Sequence, residues 1–67
     1  MYILLVMEKG FRYYDVLFES ESMEAISNKI KEIHDNKNLS KKYKKYKIAF
    51  MDLENPVFDS DIEEGEF

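Results

Sequence analysis

Cysteine is absent from this chain of 67 residues, which has only two glycines and one proline. The first absence excludes disulfide staples and thiolate zinc sites, the usual aids of domains too small to bury a large core. Gly10 and Gly65 are too few and too far apart to build any of the known phosphate-cradling loops. None of Ser20, Ser22, Ser27, Ser40 and Ser60 sits in the glycine-flanked elbow of an activated nucleophile. Long hydrophobic runs are missing too. The apolar stretch Tyr2–Met7 is far short of the roughly 20 residues that span a bilayer. It also lacks the basic lead and small-residue cleavage site of a signal peptide, so a soluble, cytoplasmic protein is expected.

What is present is apolar and aromatic. The hydrophobic fraction is 45%, with five Phe and five Tyr, against a net charge of -4 and a pI near 4.9. That composition lies outside the range of disordered chains, and the length allows one domain with a modest core. Large rings, or association of copies into a homo-oligomer, are expected to make up the deficit.

Tyr2–Met7 is too short for a helix and apolar throughout, as a strand buried on both faces would be. Phe11–Phe18 follows with strand-favouring rings and Val16. Gly10 between them supplies the positive φ of a hairpin turn. Ser22 is a helix N-cap, Glu24 suits the positive end of the dipole, and Met23, Ile26, Ile30 and Ile33 share one helical face. Asp35–Asn38 ends the pattern, Asn being tolerant of the left-handed conformation past a helix end; continuation through Leu39 to Tyr43 is an alternative. Tyr46–Leu53 is the third strand, with Tyr46, Ile48 and Phe50 on one side and Ala49, Met51 and Leu53 on the other. A right-handed crossover over the first strand then gives the order 2-1-3. Asn55-Pro56 turns the chain, and Val57-Phe58 returns as a very short edge strand or caps the core. The expected fold is a small α+β domain, ββαβ, over residues 1–58. Its three-stranded antiparallel sheet is covered on one face by a single helix, and 59–67 is a mobile acidic tail.

Catalytic chemistry finds little to work with. His34 is the only histidine, and Asp35, adjacent on a helix, does not face it. The favourable contact of an imidazole with a helix C-terminus is sufficient reason for its presence. Asp59, Asp61, Glu63 and Glu64 lack the central glycine and closing glutamate of a calcium loop. No enzyme activity, cofactor or metal is expected.

Two charged segments remain. Lys37, Lys41, Lys42, Lys44, Lys45 and Lys47 interleave with Tyr43 and Tyr46; lysines neutralise phosphates and tyrosines stack on bases, the two demands of single-strand binding. An exposed connection that is lysine-rich for solubility accounts for the same run, and the acidic whole-chain charge opposes a nucleic-acid footprint. From Asp52 onward come Asp52, Glu54, Asp59, Asp61, Glu63, Glu64 and Glu66, with no basic residue before Phe67. This segment solubilises the chain, screens the lysine run or serves as a recognition peptide. Asp59–Phe67 resembles the acidic, phenylalanine-terminated tip of bacterial and phage single-stranded-DNA-binding proteins. In that family the tip recruits replication and repair enzymes through its terminal Phe. Glu66 replaces the proline common there, and the rest of the chain is too short for that family's five-stranded barrel.

Function is therefore expected in what the surface touches. The leading expectation is a non-enzymatic protein-interaction module, a regulator or inhibitor of a larger nucleic-acid-processing host protein. Its candidate contacts are Tyr13, Tyr14, Asp59, Asp61, Glu63, Glu64, Glu66 and Phe67. The alternative is a nucleic-acid-binding accessory protein using Lys41, Lys42, Tyr43, Lys44, Lys45, Tyr46 and Lys47, with an autoinhibitory acidic tail.

Overall fold

The structure, a computed structural model, describes the backbone of residues 1–51 and 58–67 and the side chains of 1–51 and 63–67. The described residues form an α+β domain of four strands and two helices. In chain order these are β1 (Tyr2–Glu8), β2 (Asp15–Ser20), α1 (Met23–Asp35), α2 (Lys37–Lys42), β3 (Tyr43–Met51) and β4 (Phe58–Glu66). The sheet order is β2-β1-β3-β4, and every neighbouring pair is antiparallel. The expected 2-1-3 arrangement is present, with the apolar β1 inside it. A fourth strand now flanks β3.

Register sorts the side chains onto two faces. Leu4 lies opposite both Phe18 and Ile48, and Val6 opposite Tyr46. Leu4, Val6 and Ile48 form the core with Ile26, Ile30 and Ile33 of α1 and with Tyr43. Each such fully buried aliphatic side chain contributes about 1.5–3 kcal/mol of burial free energy. Ile3, Met7 and Ala49 alternate onto the other face of the sheet and are also buried, so β1 is covered on both sides. Among the described residues no helix is long and apolar enough to cross a membrane.

α1 starts as its sequence dictates. The Ser22 hydroxyl accepts from the Ala25 N–H at 3.3 Å, satisfying one of the unpaired donors of the first turn. Its end differs from expectation. Asn36 is extended, with φ -95° and ψ 109°, and no residue other than glycine has a positive φ among those described. Its N–H donates to the carbonyls of Glu32 and Ile33, while its Oδ1 accepts from Asn38 and Leu39. One residue thus closes α1 through its backbone N–H and starts α2 through its side chain, giving a short second helix in place of a simple stop.

Three boundaries are corrected. β2 begins at Asp15, not Phe11, because Phe11 N–H donates to the Glu8 carbonyl at 3.1 Å and closes a four-residue turn. Gly10, at φ 90°, holds the third position of that turn, where a type II turn requires positive φ. β3 begins at Tyr43 rather than Tyr46, since the chain leaves α2 directly into pairing with Glu8. The acidic segment expected to be a mobile tail is β4, paired with β3 along Phe58–Glu66. Its register supplies the reason: Glu64 falls opposite Lys47 and Glu66 opposite Lys45, so the carboxylates meet cations rather than one another. The expected turn at Asn55-Pro56, along with Leu53 and Val57, lies outside the described residues.

Candidate functional site

The antiparallel register brings four chain segments to one end of the sheet. Met7 lies opposite Lys45, Val6 opposite Asp15, and Lys45 opposite Glu66. The Lys9 N–H donates to the Lys42 carbonyl at 3.0 Å, tying the β1–β2 loop to the end of α2. Lys9, Arg12, Lys41, Lys42, Lys44, Lys45 and Lys47 therefore gather here, although the whole chain is acidic.

The loop projects from this end. Phe11 is 46% and Tyr13 55% exposed, and their rings pack edge to face at 5.4 Å. That geometry matches the positive ring edge to the negative face, so the two rings brace each other in water. Arg12 stands exposed between them. Val16, on the outermost strand next to the loop, is 55% exposed. Tyr14 departs from this group. Half-buried, it lies under the ammonium groups of Lys45 and Lys47, at 5.8 and 4.9 Å from its ring centre.

The lysine-tyrosine run does not form one platform. Tyr43 is buried in the core, and Tyr46 packs against that core from the helix-covered side. Lys45 and Lys47 lie on the opposite face, opposite Met7 and Leu5. Lys41 and Lys44 are exposed. Lys42 pairs with Glu8 at 3.5 Å and sits 5.5 Å from the Tyr43 ring centre. Burial pushes the Tyr46 phenol above its ordinary pKa of 10.0, and the charge of Glu63 pushes it further the same way.

The acidic residues are placed by β4. Glu63, Glu64 and Glu66 are exposed, and Glu64 pairs with Lys47 at 3.3 Å. Asp59 and Asp61 belong to the strand, and their side chains lie outside the described residues. Phe67 does not hang free. Its N–H donates to the Lys44 carbonyl at 3.2 Å, and its ring sits 5.1 Å from His34, 5.1 Å from Tyr46 and 6.0 Å from Tyr43. Gly65 makes room for this arrangement, because a Cβ there would enter the Tyr46 ring.

Among the described residues no reactive groups are assembled. His34 is exposed at the last turn of α1, with Phe67 as its aromatic neighbour. Among the described residues no three His, Asp or Glu side chains gather as metal ligands. Asn28, Lys31, Glu32, Asp35 and Asn36 line an open depression on α1, unlike the enclosed clefts that bury small ligands.

The sequence pattern places Phe11, Tyr13 and Tyr14 inside a strand and does not single out Arg12, whereas all four lie in the loop before β2. The signal for the loop was Gly10 only two residues before Arg12, with the turn closing behind it. No family model, curated protein or solved structure matches the chain.

Proposed function

We propose that this chain is a small non-enzymatic protein-interaction module that presents Phe11, Arg12 and Tyr13 to a partner protein, acting as a regulator or inhibitor by occupying that partner's surface. The observation that supports it is the braced, exposed Phe11–Tyr13 pair. Aromatic and arginine side chains dominate binding energy when they enter a desolvated pocket. Rings already held against each other lose little rotational freedom on docking. Val16 extends the apolar contact along β2, and Lys9 and Arg12 suit a rim of carboxylates on the partner.

Strand addition at a sheet edge is the less favoured mode. β2 carries a bulge at Leu17, where Leu4 pairs with Phe18 and Leu5 with Val16. The outer strand β4 presents Glu63, Glu64 and Glu66. Bulges and edge charges both discourage pairing with another strand. The contact is therefore one of side chains.

The test uses the double variant Phe11→Ala/Tyr13→Ala, with Phe50→Ala as an exposed control at the other end of the sheet. Host extract is titrated over immobilised protein, and retention of a saturable partner is quantified. A loss of about thirtyfold or more in apparent affinity is expected for the double variant, the scale of a hot spot worth 2 kcal/mol. Circular dichroism should be unchanged. Equal retention by wild type and double variant would remove the tip from the interface.

A further inference from the structure

We infer that the corner formed by Tyr14, Lys44, Lys45 and Lys47 is a second binding site, for the phosphate backbone and bases of a single-stranded nucleic acid, and that the carboxylates of β4 compete for it. This goes beyond the protein-binding tip and uses different side chains.

The geometry has three parts. Lys45 and Lys47 are two residues apart on one strand, so both project from the same face of the sheet, about 6–7 Å apart along it, close to the spacing of successive phosphates in a strand that is not fully extended. Both ammonium groups lie over the half-buried ring of Tyr14, at 5.8 and 4.9 Å, so a phosphate that draws them off the ring leaves it open to a base. A ring flanked by ammonium groups is the pairing that single-strand sites use, the ring stacking on a base while the cations take the phosphates. Lys41 and Lys44 are exposed at the same end of the sheet and extend its positive field.

The same lysines already face anions. Glu64 holds Lys47 at 3.3 Å, and Glu66 lies opposite Lys45 in the β3–β4 register. A phosphodiester offers each lysine the same charge that these carboxylates offer. The pairing is partly exposed, with the Glu64 side chain 61% accessible, so it exchanges readily with a competing anion. Glu64 and Glu66 thereby set the affinity of the site. The Phe67 seat on the other face keeps β4 in place while its carboxylates let go. The acidic whole-chain charge of -4 then limits binding to strands that reach this corner.

The experiment measures fluorescence anisotropy of short labelled single-stranded DNA and RNA of mixed sequence, at two salt concentrations. The proteins are wild type, Glu64→Gln/Glu66→Gln, the same variant carrying Lys45→Gln/Lys47→Gln, and Tyr14→Leu. Glutamine keeps the stems and the strand, and circular dichroism checks the fold of each. Neutralising the two glutamates is expected to tighten binding by about tenfold, and replacing the lysines in that background to abolish it. With Lys44, Lys45 and Lys47 each meeting a phosphate, log affinity should fall against log salt with a slope of about -2. Tyr14→Leu should weaken binding by about fivefold or more. Absence of binding by Glu64→Gln/Glu66→Gln at low salt would overturn the inference, as would binding that survives loss of both lysines. Equal competition by inorganic polyphosphate, with Tyr14→Leu unaffected, would reduce the site to a general anion patch and overturn it too. None of these outcomes touches Phe11 or Tyr13, so the tip stands or falls separately.

Discussion

The phenol ring of Tyr46 lies across Gly65, its partner in the β3–β4 register, so closely that a Cβ on residue 65 would enter the ring. An aromatic covering a cross-strand glycine shields backbone that an edge strand would otherwise leave open to water. Gly65→Ala is expected to cost about 1–3 kcal/mol, the range of overpacked sites. For a domain of this size each kcal/mol lowers Tm by about 4–8 °C. Thermal unfolding by circular dichroism checks it, and Tyr46→Ala in the same chain should recover part of the loss, as contacting residues are not additive.

Gly10 provides the contrast. It also needs to be glycine, but for its φ of 90° alone, since nothing lies within 4 Å of where a Cβ would be. Gly10→Ala should therefore cost about 1–2 kcal/mol of backbone strain, with no rescue from trimming any neighbour. Gly10→Asn should cost less than alanine, because asparagine tolerates the left-handed region better. Denaturant midpoints at constant m-value would test the ranking.

Phe67 anchors the last strand through one backbone hydrogen bond and contacts with three rings. Phe67→Ala removes the ring but keeps the N–H. A fully buried phenylalanine costs about 3–5 kcal/mol when truncated; Phe67 is half-buried, so a loss of about 1–3 kcal/mol is expected. Hydrogen exchange should show faster opening of β4 amides near Gly65 while those of β1 are slowed as before. Uniform loss of protection across the sheet would mean that β4 and the core open together.

These contacts also mark where the amino-acid sequence stops being legible. The central place of β1 follows from its continuous apolar run, and the 2-1-3 order follows from chain direction once the helix is placed. Ile26, Ile30 and Ile33 point inward as their spacing requires. β4 was hidden because charge density along Phe58–Glu66 argues for disorder when the segment is taken alone. Only its register against Lys45 and Lys47 turns those carboxylates into partners. Asn36 was hidden differently, since one asparagine ending a helix and beginning another looks like an ordinary stop. At the tip, strand propensity in Phe11–Tyr14 concealed a loop. Tyr43 and Tyr46 look like stacking residues in sequence, and burial by α1 and Phe67 is a tertiary fact that no local pattern carries.

Leu4 tests the core itself. It is fully buried between Phe18 and Ile48 on the helix-covered face. Leu4→Ala is expected to cost about 2.7–5 kcal/mol, a large share of the roughly 5 kcal/mol available to so small a domain. Near-complete loss of the cooperative thermal transition is the expected outcome. Leu5→Ala, on the less covered face and only half-buried, should leave a clear transition.

The raised pKa of Tyr46 makes a prediction about alkaline pH. Burial and the Glu63 charge both disfavour the phenolate, so the folded state holds its proton to higher pH than the unfolded chain does. Where the unfolded state has lost that proton and the folded state has not, stability falls as pH rises. The Tyr46 contribution is therefore fully present below pH 10.0, the ordinary phenol value, and is lost as pH climbs through the raised folded value. Tyr46→Phe removes the titrating group while keeping the ring over Gly65. It should leave stability near pH 7 almost unchanged and flatten its decline above pH 10, measured by urea unfolding across that range. Glu63→Gln should flatten the decline in part, because it lowers the pH at which folded Tyr46 ionises and so narrows its difference from the unfolded chain. A decline as steep in Tyr46→Phe as in wild type would show that this phenol does not govern alkaline unfolding.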